Sequence, residues 1–233
     1  MRVRVPLGVP RGSFVCPNVL ASAARLQELV PDAVLVGGTA AAFSAHHRMS
    51  TDHDHVLTDL QDRFDLVLDS LDRDSEFVLN RATPGKIILG ELGGIEAGVR
   101  QLIRKRPLEV HQVTLRSGAK VTVPTLHEIA RIKGYLIVKR NQMRDYLDVA
   151  ALSDRFGTKR IGIVLSRIDD YYSDDTHPDD RPVQAQLARQ LYDPSPKDQS
   201  RIRDLPTYKG LIARWQKWDD VIAECRRLAG HLI

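Results

Sequence analysis

Ala33-Val34-Leu35-Val36-Gly37-Gly38-Thr39, followed after an alanine-rich run by Asp52-His53-Asp54-His55-Val56-Leu57, decides how this chain is read. Consecutive branched apolar residues predict a short buried strand, Gly37-Gly38 a sharp turn, and residues 39–47 a helix. Residues 52–57 then have strand character. In a strand, positions two apart share a face, so Asp52 and Asp54 present their carboxylates together while His53 and His55 point the other way. Two like charges so close repel, and a bound divalent cation is the usual compensation. Gly37 and Gly38 leave backbone N–H groups free at a helix start, where the helix dipole favours an anion. Metal ligands and a phosphate cradle are therefore expected on adjacent elements.

Working outward, residues 18–30 read as a helix capped by Asn18 and ended by Pro31-Asp32. After the second strand, Asp59, Asp62, Asp65, Asp69 and Asp72 fall opposite the stripe Leu60, Phe64, Val67, Leu68 and Leu71, the pattern of a solvated helix face. Residues 76–81 and 86–89 flank Pro84-Gly85 as a hairpin, and 108–115 and 120–123 flank Ser117-Gly118 as another. Two-metal phosphoryl transfer needs a third carboxylate on a neighbouring strand. Glu109, turned away from Leu108 and Val110, is the candidate, with Glu91 and Glu96 behind it. The competing reading of Glu109 is a surface glutamate paired with a nearby Arg or Lys.

Beyond Pro124 the period becomes helical. Thr125 and Glu128 read as a capping box, followed by helices reaching Asn141, then 143–156 stopped by Gly157, then 159–172. Residues 173–182 are acidic, contain prolines and read as a loop or linker. Leu211, Trp215, Trp218, Ile222 and Cys225 recur at helical spacing, so the tryptophans belong to a core rather than to a base-stacking platform. The chain reads as an α/β domain, residues 1–124, followed by a helical domain, residues 125–233.

The 233 residues carry a net charge of +4 and are 42% hydrophobic, which suits a globular protein with a real core. No stretch approaches the roughly 20 apolar residues of a membrane span. Arg2 and Arg4 make the start basic, but Pro6, Pro10 and Pro17 interrupt any signal-peptide core, so the cytoplasm is the expected location. Cys16 and Cys225 have no metal-ligand spacing and are expected reduced and structural. Charge is uneven: residues 52–76 sum to −7 and residues 100–140 to +8. Such separation suits a protein that holds a metal beside a polyanion.

Val36-Gly37-Gly38-Thr39 and His47-Arg48-Met49-Ser50-Thr51-Asp52-His53-Asp54 together resemble the signature of DNA polymerase β-like nucleotidyltransferases, in the form typical of the AbiEii/AbiGii toxin branch. That branch also has a helical Lys, then Arg, then Arg-Asp-x-x-Asp, matched by Lys133, Arg140 and Arg144-Asp145-Tyr146-Leu147-Asp148. The resemblance covers residues 34–152. It implies an α+β fold, a polymerase β-like domain whose mixed sheet is flanked by helices, followed by a helical bundle. It further implies magnesium, as two ions, on Asp52 and Asp54, with Glu109 as the third ligand in our own reading. Nucleotide phosphates would meet Gly37, Gly38 and Thr39, the triphosphate Lys133, and Asp145 would contribute to catalysis. Arg48 and Ser50 are further phosphate candidates.

If the helix runs on past Asn141, Lys133, Arg140 and Arg144 lie in one stripe, and Arg140 and Arg144 can meet an RNA backbone. An ordinary ion pair between Arg144 and Asp148 is the alternative. The implied activity is transfer of a nucleoside monophosphate from an NTP to an acceptor hydroxyl. Its acceptor would be RNA, tRNA first, and its setting a toxin–antitoxin or phage-defence pair with a neighbouring antitoxin as partner. Rival readings are transfer to a small molecule or protein, and nucleotide or RNA binding without turnover. The family usually has apolar residues where this chain has His53 and His55. With His46 and His47 these leave a His/Asp metal hydrolase as a third alternative.

Overall fold

A computed structural model describes residues 16–173 and 182–232. The readings of Arg2, Arg4, Pro6 and Pro10, and most of the acidic 173–182 run, lie outside the described residues. The first helix, α1 (Pro17–Leu29), opens on Pro17, whose fixed φ suits a first turn that needs no N–H. Its cap position is Cys16, two residues before the expected Asn18. The short strand β1 (Val34–Val36) leads directly into α2 (Gly37–Ala45), so the helix starts at the glycine pair rather than after it. Then come β2 (His53–Leu57) and α3 (Leu60–Asp72), whose exposed carboxylates face solvent as expected.

The first hairpin is β3 (Phe77–Thr83) with β4 (Ile87–Leu92). It is followed by β5 (Ile95–Gln101), a strand the sequence reading lacks. This strand is central: the sheet order is β1-β2-β5-β4-β3, with β2 and β5 parallel and the other neighbours antiparallel. The expected mixed sheet is thus present. The second hairpin, β6 (Val110–Thr114) with β7 (Lys120–Pro124), forms a separate two-stranded sheet.

The remaining chain is helical: α4 (Leu126–Arg140), α5 (Met143–Phe156), α6 (Thr158–Leu165), α7 (Val183–Tyr192) and α8 (Trp218–Ala229), with 3-10 segments at Ile168–Asp170, Gln199–Thr207 and Ala213–Gln216. The expected 159–172 helix stops at Leu165. The chain then turns so that the Tyr172 ring stacks on Tyr135 at 4.2 Å and Tyr171 lies under the Arg131 guanidinium at 3.9 Å. Thr125 caps α4 by position, but no capping box forms, because Glu128 is held by Arg104 and Arg131.

One face of the sheet packs on α1 and α3 through Leu26, Leu57, Phe64, Leu71 and Val99. On the helical side, Ala40, Ala41 and Ala45 of α2 join a core with Tyr146, Ala150 and Trp215. Small side chains let α2 sit close against α5, and each large side chain buried there stabilises by about 1.5–3 kcal/mol. Trp215 is 1% exposed, so it is a core residue, as its spacing predicts. Both cysteines are free. Among the described residues no helix is long and apolar enough to cross a membrane.

Candidate functional site

Asp54 lies in register with Val36 on β1 and Gly98 on β5. Its carboxylate sits between two glycines: a Cβ on Gly98 would lie 2.8 Å from Oδ1, and one on Gly37 would lie 3.0 Å from Oδ2. Gly37 also has φ +71°, a conformation side-chain-bearing residues rarely adopt. Asp52 stands just before β2, where its Oδ1 accepts a hydrogen bond from Ser50 Oγ at 3.0 Å. The Thr39 hydroxyl donates to the Asp52 carbonyl, so this buried side chain ties α2 to the loop.

Three cations meet two fully buried carboxylates beside this pair. Arg48 Nε and Nη2 donate to Asp148 Oδ1 and Oδ2 at 2.9 and 3.2 Å, and Lys133 Nζ lies 2.6 Å from Asp148 Oδ2. Arg140 Nε and Nη2 donate to Asp145 Oδ2 and Oδ1 at 2.6 and 2.7 Å, and Lys133 reaches Asp145 at 3.4 Å. His47 Nε2 completes the group, 2.7 Å from Asp148 Oδ1. Burial alone would push the Asp148 carboxyl up, but Arg48, Lys133 and His47 hold it well below the usual carboxylate range. Burial pushes the His47 imidazole below its ordinary value, outweighing its hydrogen bond to Asp148. Arg48, Lys133 and Arg140 thus outnumber Asp145 and Asp148 by one formal charge. Arg144 is exposed and does not take Asp148 as the i, i+4 spacing suggests, because Arg48 and Lys133 hold that carboxylate. Nor do Lys133, Arg140 and Arg144 ride one helix: Asn141, at φ 51°, ends α4 before α5, which carries Arg144, begins.

Gly37, Gly38, Arg48, Asp52, Asp54, Lys133, Arg140 and Arg144 nevertheless line one cavity of about 420 Å³. That volume lies in the range of small-molecule sites. Val56, Leu102, Ile103, Ile132, Leu136 and the stacked Tyr135 and Tyr172 supply apolar wall. Arg100, which the sequence reading missed together with β5, also lines it and donates from Nε to Asp54 Oδ1 at 3.3 Å. Its signal in sequence is the alternation of Gly98 and Arg100 on one strand face.

Glu109 stands elsewhere. It lies exposed in the coil before β6, in the other sheet, and its carbonyl accepts the Thr125 N–H. The sheet neighbours of β2 are β1 and β5, so the geometry that pointed to Glu109 is not the geometry of this fold. Glu91 and Glu96 pair with one another in register on β4 and β5 and do not line the cavity either.

The chain matches no family model. It is 35% identical over 126 residues to the mycolic acid-containing lipids exporter MmpL11 of Mycolicibacterium smegmatis, covering 54% of this chain and 13% of that protein. It is 30% identical over a 240-residue alignment to the heme uptake protein MmpL11 of Mycobacterium tuberculosis, covering 91% of this chain and 22% of that protein. The chain thus spans about a fifth or less of the length of these curated relatives. Among solved structures, a candidate nucleotidyltransferase of H. pylori superposes with a TM-score of 0.49 at 12% identity, over 92% of each chain. An antigenic nucleotidyltransferase-like protein of Paracoccidioides brasiliensis does so with a TM-score of 0.44 at 16% identity, over 77% of this chain and 94% of that one. Likenesses this loose do not fix a fold.

The four histidines do not converge on one point. His53 and His55 lie buried on the opposite face from the aspartates, their rings edge to face at 5.2 Å. Ser22 Oγ donates to the Leu92 carbonyl, so His53 Nε2 is the donor in its 3.0 Å contact with Ser22. Among the described residues no group of three or more His, Cys, Asp or Glu side chains is set to hold a metal ion. This arrangement does not fit a His/Asp hydrolase centre. Two hard carboxylates on one cavity, that of Asp54 set between two glycines, do fit one magnesium ion that draws its other oxygens from water and a polyphosphate. A second protein-held ion lacks its third carboxylate among the described residues.

Proposed function

We propose that the chain is a magnesium-dependent nucleotidyltransferase that moves a nucleoside monophosphate from an NTP to an acceptor hydroxyl. The observation that carries this reading is the meeting, on one cavity, of Asp52 and Asp54 with the glycine turn that starts α2 and with Lys133. Magnesium, when bound, neutralises charge that develops on the transferred phosphoryl group. Asp52 and Asp54 hold it. The first turn of α2, at Gly37-Gly38, offers backbone donors and the positive dipole end to the phosphates. Asp145 and Asp148 fix Lys133 and Arg48 in place, so these cations meet the triphosphate already oriented. The acceptor oxygen bonds to the α-phosphorus as the bond to pyrophosphate breaks, and the hydroxyl proton leaves to solvent. Glu109 has no role in this scheme, because it lies off the cavity wall.

RNA is the acceptor we favour, tRNA first, supported by the exposed Arg144 at the cavity and by the basic 100–140 segment. A toxin role, an antitoxin partner and a cytoplasmic setting rest on the sequence alone. The test is incubation with each α-phosphate-labelled NTP and total RNA, with and without magnesium. We expect a labelled product that needs magnesium and disappears in Asp54→Ala, while the melting point of that variant stays near the parent's. No label in any RNA, protein or small-molecule fraction overturns transfer. Binding without turnover is the second reading. It is favoured by the lack of a third carboxylate among the described residues, and its mark is NTP affinity with no labelled product.

A further inference from the structure

We propose that residues 208–212 form a strap that positions Arg48 for triphosphate binding, with Gly210 as its positioning residue; this rests on the nucleotide reading above. The loop between α2 and β2 carries Arg48, and irregular segments move unless tied down. This loop is tied from two sides. From α5, Asp148 takes both the guanidinium of Arg48 and the imidazole of His47. From the far end of the chain, the Met49 N–H donates to the Lys209 carbonyl at 2.8 Å, and the Ile212 N–H donates to the His47 carbonyl at 3.0 Å. The two residues flanking Arg48 are thus paired to the strap through their backbones.

The strap is itself built for that contact. The Leu211 N–H donates to the Tyr208 carbonyl at 3.0 Å, closing a turn with Gly210 in third place at φ +67°. Turns with a positive φ at that position favour glycine. Gly210 also faces Met49: a Cβ there would lie 2.5 Å from Met49 Cγ and 3.3 Å from Met49 N, the donor of the pairing. Leu205, Leu211 and Trp215, all buried in the helical core, anchor the strap on both sides of the turn. At the other end of the lever, the Arg48 guanidinium rests against the first turn of α2, where a Cβ on Gly38 would lie 2.7 Å from Nη2. A side chain at position 210 would therefore displace the backbone next to Arg48, and with it a donor whose charge-assisted bonds depend on direction.

Affinity of the 233-residue chain for inorganic triphosphate with magnesium, measured by calorimetry, tests this together with amide exchange at Met49 and Ile212. Gly210→Ala should weaken binding about tenfold, the scale of one lost charge-assisted hydrogen bond, and speed exchange at both amides. In an Arg48→Ala background the same change should weaken binding no further. A purely structural strap would give equal losses in both backgrounds, which overturns the proposal. Ile212→Pro, at a residue whose φ is already −68°, removes the N–H given to His47 and should act in the same direction should Gly210→Ala fail to fold. Unchanged exchange at Met49 in both variants rejects the strap and leaves the nucleotide reading standing. No triphosphate binding by the wild type rejects the nucleotide reading and, with it, the role given to the strap.

Discussion

Arg100 donates to the same Asp54 carboxylate that a cation would use, so guanidinium and metal compete for one oxygen. Removing a positive charge within contact of that oxygen should favour a second one arriving. Arg100→Ala is expected to tighten Mg²⁺ binding, measured by calorimetry with the metal alone, several-fold on the scale of a partly exposed pair of charges. An unchanged or weaker affinity would mean that the ion does not use Asp54. The alternation of Gly98 and Arg100 marks a strand face in the sequence but not its neighbour, whereas the aspartate pair was plain. Asp54 on β2 and Asp52 just before it are two positions apart in one extended run, legible without knowledge of any other strand. Arg100 and Glu109 depend on which strand lies beside β2, and no local period encodes that.

At the scale of elements, the joint between α4 and α5 decides where the cavity's cations stand. Asn141 holds a left-handed conformation there, accepts a hydrogen bond from Tyr146 Oη at 2.6 Å, and donates to the Ser195 carbonyl at 2.9 Å. Asn141→Ala loses both bonds and pays the left-handed strain, so we expect a loss of about 2 kcal/mol in urea unfolding. Asn141→Gly relieves the strain and should lose about 1 kcal/mol less. Equal losses would show that backbone conformation is not what asparagine supplies. The break itself was within reach of sequence reading, since Asn is a frequent helix end. β5 was harder to see: Gly98 and the charged Glu96 and Arg100 dilute its apolar alternation, and its neighbours settle its state.

Across the whole molecule, acid should act through three buried imidazoles. His47, His53 and His55 are all held below the ordinary value of 6.5, first by burial, His53 at about 4. The unfolded chain then binds protons that the folded chain refuses. The sign follows: stability is full above about pH 6.5 and falls as pH drops toward 4, by about 1.4 kcal/mol per pH unit for each such proton. Urea midpoints measured in chelator across that window should decline, and His53→Gln should make the decline shallower. A flat profile would mean that these rings are protonated in the fold.

The pairing of the 47–49 loop with residues 209–212 also sets an order of events during synthesis. Its two halves are separated by most of the chain, and long-range contacts of this kind form late. The sheet, the glycine turn and both aspartates leave the ribosome while the strap has not yet been translated. A nascent chain can therefore carry every polar group of Asp52, Asp54 and Lys133 and still leave the Arg48 loop untethered, its site maturing only once residues 208–212 have been made.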